Sequence, residues 1–174
     1  MLQGVTHDTG DVSQVPSNIA RRMKMERVWA MPNKRTFTIK PIEKLIRKEL
    51  GPDYIDPFPF EYQEDAVDYL RRIEPHKYGL FDPPYSPRQL KECYKGKGEY
   101  DTKSSTWSRW KDLMAEKVQD KCISFGWNSC GLGKKRGFEI VKILVVCHGG
   151  MHNDTICTVE KKTQTNFKNF SWPF

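Results

Sequence analysis

The order of its apolar runs constrains this chain more than any other feature. Three runs of strand length, YIDPF (54–58), KYGLFD (77–82) and KCISFGWNS (121–129), are separated by stretches of helical period. Two consecutive strand-like runs then close the series, FEIVKILVVCHGG (138–150) and DTICTVEKK (154–162). Strand and helix in alternation build parallel βαβ units, whereas two strands joined by a short turn build an antiparallel hairpin. The expected fold is therefore α/β, with a mostly parallel sheet and an antiparallel C-terminal hairpin at its edge.

The helical stretches carry their own punctuation. In PIEKLIRKELG (41–51), Pro41 suits a first turn, Ile42, Leu45, Ile46 and Leu50 form one stripe, and Gly51 ends it. EDAVDYLRRI (64–73) predicts a helix burying Ala66, Val67, Leu70 and Ile73. Ser86 and Pro87 predict a helix start that carries Leu90, Cys93 and Tyr94 and stops at Gly96. Ser105 is expected to cap a further helix bearing Trp107, Trp110, Leu113, Met114 and Val118. Residues 25–40 predict irregular chain or a short strand around Phe37 to Ile39.

A chain of 174 residues supports one sizeable core. The reading is a single domain over 23–174, preceded by a polar, unpatterned leader over 1–22 that is expected to be disordered. No apolar run reaches membrane-spanning length, and the first residues lack the basic-then-apolar order of a signal peptide. A cytoplasmic protein without a membrane partner is expected. The five cysteines form no CxxC pair and fit reduced thiols better than a disulfide framework.

A formal net charge of +7 points to a polyanionic partner, and five Trp, seven Tyr and nine Phe offer rings for base stacking. Two basic loops are candidates for phosphate contact. One holds Lys95, Lys97 and Lys103; the other is GKKRG, with Lys134, Lys135 and Arg136 between glycines. GKKRG does not meet the P-loop pattern. Cys147, His148, His152 and Asp154 cluster in CHGGMHND, but the run reads as a plain turn rather than a metal site.

The chemistry concentrates in GLFDPPYSPRQL (79–90). Two prolines stop the strand and hold Asp82 and Tyr85 at its carboxyl end, the edge at which open α/β sheets bind ligands. The tetrapeptide Asp82, Pro83, Pro84, Tyr85 matches the catalytic motif of amino-methyltransferases acting on adenine N6 or cytosine N4. An exocyclic amine is a weak nucleophile because its lone pair is delocalised into the ring. The Asp82 carboxylate and the Pro83 carbonyl can accept its two hydrogens and favour a pyramidal nitrogen, while Tyr85 stacks on a flipped base. Positioning then supplies much of the rate, and no covalent nucleophile is required. Asp56 in YIDPF looks like the first S-adenosylmethionine motif of such enzymes. Asp65 either caps its helix or bonds the adenine amine of the cofactor.

With those residues in view, the chain resembles the small phage- and prophage-type adenine-specific DNA methyltransferases. The stretches that carry the likeness are WAMPNKRTFTIKPI, DPF, DAVDYL, LFDPPYSPRQLKECY, ISFGWNSCGLGKKRGFEI and HGGMHNDTICTVE, within about residues 29–161. The resemblance implies a Rossmann-like methyltransferase fold, S-adenosylmethionine as cofactor and adenine in DNA as substrate. It also implies that Asp56 and Phe58 begin the cofactor motif and that Asp65 is its later acid. One departure stands out. Relatives continue from DPF into a loop of small residues, a helix and a second strand whose acid holds the cofactor's ribose. Here Pro59 and Phe60 follow, and Asp82 comes 26 residues after Asp56. That interval has room for one helix and no further strand, so the first half of the fold is expected to be reduced.

Three functions fit these residues: an active DNA N6-adenine methyltransferase; a non-catalytic DNA-binding relic or deletion variant of one; and methylation of cytosine N4 or another amide or amine, since the tetrapeptide alone does not choose the acceptor. The first is the reading adopted.

Overall fold

The computed structural model describes residues 23–33, 35–59, 64–85, 104–150 and 152–163. The predicted leader, the helix expected after Ser86, and Lys95, Lys97 and Lys103 lie outside these residues. Among them, five strands form one sheet and three helices cover it. The strands are β1 (Lys24–Trp29), β2 (His76–Phe81), β3 (Val118–Gly126), β4 (Phe138–Cys147) and β5 (Thr155–Lys162). The helices are α1 (Lys40–Glu49), α2 (Ala66–Arg72) and α3 (Ser104–Lys117). No described helix is long and apolar enough to cross a membrane.

The helices form for the reasons their sequences give. Pro41 opens α1, its apolar stripe is buried at Ile42, Leu45 and Ile46, and Gly51 follows at φ +73°. Asp65 precedes α2 and accepts from the backbone N–H groups of Val67 (2.9 Å) and Asp68 (3.3 Å), which have no partner inside the helix. The α1 stripe packs with Leu80, Ile123, Phe125, Leu144, Val146 and Val159 on one face of the sheet. On the other face Val67 and Leu70 of α2 and Trp110 and Met114 of α3 pack with Phe81, Cys122 and Phe138. Gly79 permits this second layer, because a Cβ there would meet Met114 and Val118.

The strand order is β1-β4-β5-β3-β2, and it corrects the expected sheet. The sheet is mixed rather than mostly parallel: β1 with β4 and β2 with β3 are parallel, while β5 runs antiparallel to both β3 and β4. The hairpin exists, but its antiparallel strand is interior rather than at the edge. The crossover from β3 to β4 leaves a gap of one strand, and β5 fills it with ladders on both sides. Its residues Cys157, Thr158, Val159 and Glu160 are accordingly buried on both faces.

Other boundaries move for local reasons. The strand expected near Phe37 is a 3-10 turn (Thr36–Thr38), tied by Thr38 N–H to Arg35 O (2.9 Å) and by Asn33 Nδ2 to Thr38 Oγ1 (2.9 Å). The strand of that region is β1, which lies earlier. YIDPF shrinks to a single bridge, Ile55 beside Gly79 in parallel, because Asp56 Oδ1 accepts the Phe58 N–H (2.9 Å) and Pro57 has none to give. Ser105 lies inside α3 rather than capping it, and Val118 starts β3 with no loop between. That junction is held by Lys162, whose Nζ donates to the carbonyls of Ala115 and Val118 (2.7 Å each).

Candidate active site

Parallel strands share a carboxyl edge, so Ile55, β2 and β3 deliver their following residues to one place. The Ile55 N–H donates to Tyr78 O (3.1 Å) and Leu80 N–H donates to Ile55 O (2.9 Å). This pairing brings Asp56 up beside the end of β2, where Asp82 follows Phe81. Both carboxyls are pushed from an ordinary 3.8 up to about 7. Burial is the main cause for each; at Asp82 the Asp56 charge adds to it. The Phe58 N–H opposes the rise at Asp56, and the Tyr85 hydroxyl opposes it at Asp82. Tyr85 offers one hydrogen to two acceptors, the Phe125 carbonyl and Asp82 Oδ1 (3.3 Å). Its help to the Asp82 carboxylate is therefore shared, and burial wins. The sulfur of Cys157 is close enough to Asp82 for that charge to raise its pKa further, after burial.

Pro83 and Pro84 are buried, so the corner after β2 is rigid. Tyr85 stacks on Trp127 (centroids 5.4 Å, planes 23° apart) and packs against Trp107 at the same separation, tilted 46°. A base taking the place predicted for it on Tyr85 meets rings already there. Trp127 immediately follows β3 and is 63% exposed. The sequence alone marks neither tryptophan as a site residue. Trp127 was within reach, because a residue one place past the end of a strand parallel to β2 must share its edge.

The residues assigned to a cofactor have structural work as well. Phe58 is buried, with its ring edge-on to Phe81 (5.6 Å) and Trp110 (5.1 Å), which puts it behind β2 in the core rather than facing a ligand. Asp65 is a helix cap, as described above. Asp56 remains beside Asp82 at the strand ends.

The basic loop is not brought to this edge. Gly137 leads into Phe138, which pairs with Lys162, while Gly137 O accepts the N–H of Thr163 (2.7 Å). Those contacts lie at the opposite end of the strands from Phe81, which pairs with Ser124. Lys134 and Lys135 are exposed there. Arg136 folds back onto α3 and bonds Asp112 Oδ1 (2.6 Å), Leu132 O (2.9 Å) and Ser108 Oγ (2.9 Å). Upstream of it, the carboxylate of Glu160, fully buried in β5, accepts the N–H groups of Leu132 (2.6 Å) and Gly133 (2.9 Å) and pins the start of the loop.

The CHGGMHND turn returns to the same edge as Asp82. His148 is buried, with Nδ1 2.8 Å from Ala30 O and Nε2 2.8 Å from Thr155 Oγ1. A carbonyl can only accept, so Nδ1 carries a hydrogen. No group of three or more metal-ligating side chains occurs among the described residues. No family model matches the chain, and a search of curated proteins also returns no match.

Proposed function

We propose that this chain transfers a methyl group from S-adenosylmethionine to N6 of adenine in DNA. The observation that carries the reading is the carboxyl pair at the strand ends, with Asp82 fixed on a Pro-Pro corner at the edge where α/β sheets hold ligands. Three parallel segments side by side, at Ile55, β2 and β3, with helices on both faces, support a Rossmann-like reading of the sheet.

The work of the chain's own residues follows from their positions. The Asp82 carboxylate and the Pro83 carbonyl accept the two hydrogens of the adenine amine and hold its lone pair out of the ring. Tyr85, tied to the Phe125 carbonyl, keeps Asp82 in place. The buried aromatic shell of Phe58, Phe81 and Trp110 keeps water from the rear of the corner. Among the residues assigned to the cofactor, Asp56 fits the cationic amino-acid end of S-adenosylmethionine, since a cation there offsets the cost of its buried charge. The Phe58 ring is already packed in the core and does not fit, while Asp65 spends its Oδ1 on capping α2. When bound, the cofactor supplies an electrophilic methyl group.

A second reading has an observation of its own. Between Asp56 and Asp82 the described residues hold α2 and no strand other than β2 itself, so no second strand end presents an acid to the cofactor's ribose there. This favours a relic that binds DNA without turnover. A tritiated-methyl transfer assay on duplex DNA separates the two. Label on adenine with the parent chain and none with Asp82→Ala supports the enzyme. DNA binding with no label from the parent supports the relic, and label on cytosine would move the acceptor to N4.

A further inference from the structure

Trp127 is a large apolar ring left 63% exposed beside a catalytic corner, and nothing in the proposed reaction uses it. It is also firmly backed. Tyr85 stacks beneath it at 5.4 Å, and Tyr85 is tethered to the Phe125 carbonyl. Trp127 borders a depression of about 420 Å³, whose other walls are His152, Asn153, Asp154 and Ile156. A volume of roughly 300–1,000 Å³ is typical of small-ligand sites. The polar wall is held in shape, since the His148 N–H donates to Asp154 Oδ1 (3.4 Å) and the His152 N–H to Gly149 O (3.3 Å).

We infer that this depression is a second base subsite, in which an unpaired nucleobase stacks on Trp127 and meets the amide of Asn153 at its edge. The inference rests on the reading of the chain as a DNA-acting protein. The occupant is a non-reacting neighbour of the target adenine. A ring on the outer side of Trp127 lies two stacking layers from Tyr85, at about 3.5–4 Å per layer, whereas a hydrogen bond to Asp82 requires about 3 Å. A base in the depression therefore cannot present its amine to Asp82. An aromatic platform suits every base because each has a π face. An asparagine amide, with donor and acceptor side by side, suits adenine in particular. The chemistry predicts a subsite that selects for an unpaired adenine beside the target.

The test is fluorescence anisotropy without methyl donor, using the full chain and two probes: a short single-stranded adenine-rich oligonucleotide and the same backbone with abasic sites. The parent is expected to prefer the base-bearing strand by about ten-fold, in line with the loss found when one stacking aromatic is truncated. Trp127→Ala should abolish that preference while leaving affinity for the abasic strand unchanged, and Trp127→Phe should keep most of it. Asn153→Ala, on an exposed turn, should reduce the preference for adenine over thymine strands. A base preference undiminished in Trp127→Ala would overturn the subsite while leaving the DNA reading intact. Failure of the parent to bind either strand would overturn both.

Discussion

Replacing Asp82 by Asn should remove the proposed methyl transfer and, at alkaline pH, make the protein more stable. The Asp82 carboxyl is raised from 3.8 to about 7, chiefly by burial and then by the Asp56 charge. A folded state that holds its proton more tightly than the unfolded chain is favoured at low pH. The contribution is fully present below the unfolded value near 3.8 and is lost as pH rises through about 7. Each pH unit across that window is worth about 1.4 kcal/mol, which sets a ceiling of about 4 kcal/mol on the cost of ionising Asp82 in place. The residue as a whole is only half-buried, and water near a charge screens it, so a net gain of about 2 kcal/mol is expected. Asparagine preserves the shape and the acceptor for Tyr85 but never ionises. Urea denaturation at pH 5 and at pH 8 measures the effect. The parent should lose stability between the two, and Asp82→Asn should lose less, ending above the parent at pH 8. A variant less stable than the parent at pH 8, with an undiminished pH dependence, would refute the reasoning.

Under the proposed reaction Asp82 must be ionised to accept the amine hydrogens, so single-turnover methyl transfer should rise with pH through about 7 and level off above it; a profile flat from pH 5.5 to 8.5 would remove Asp82 from that role. Arg136→Ala breaks the bonds to Asp112, Leu132 and Ser108 and should cost about 1–3 kcal/mol in denaturant titration, whereas neutralising exposed Lys134 and Lys135 should change stability by less than about 0.5 kcal/mol. Gly131→Ala combines a φ of +52° with a Cβ driven into the Glu160 carboxylate, and should cost at least about 2 kcal/mol, visible as a lowered melting temperature.

Much of this architecture is written in local pattern. The apolar stripe of Ile42, Leu45 and Ile46, the proline before it and the glycine after it specify α1 without reference to anything else. Asp65 marks the start of α2 in the same way, and the two proline rings after Asp82 end β2 wherever that strand lies. The hairpin of β4 and β5 follows from two apolar runs and a short turn. All these depend on residues a few places apart.

What only the tertiary structure decided are relations between distant segments. The apolar run of β5 marks a strand but carries nothing about its two edges, so its insertion between β3 and β4 is not readable from it. Arg136 had phosphate and protein acceptors open to it; the return of its loop over α3 chose Asp112 and Ser108. Tyr85 reads as a ring free for a base until β3 brings Trp127 onto it. The coupling of Asp56 to Asp82 depends on one bridge between Ile55 and Gly79, formed because a parallel pair aligns their strand ends. Local sequence determines conformation through nearby sterics and capping, but the charge state of Asp82 is a property of the burial and neighbours that assembly alone supplies.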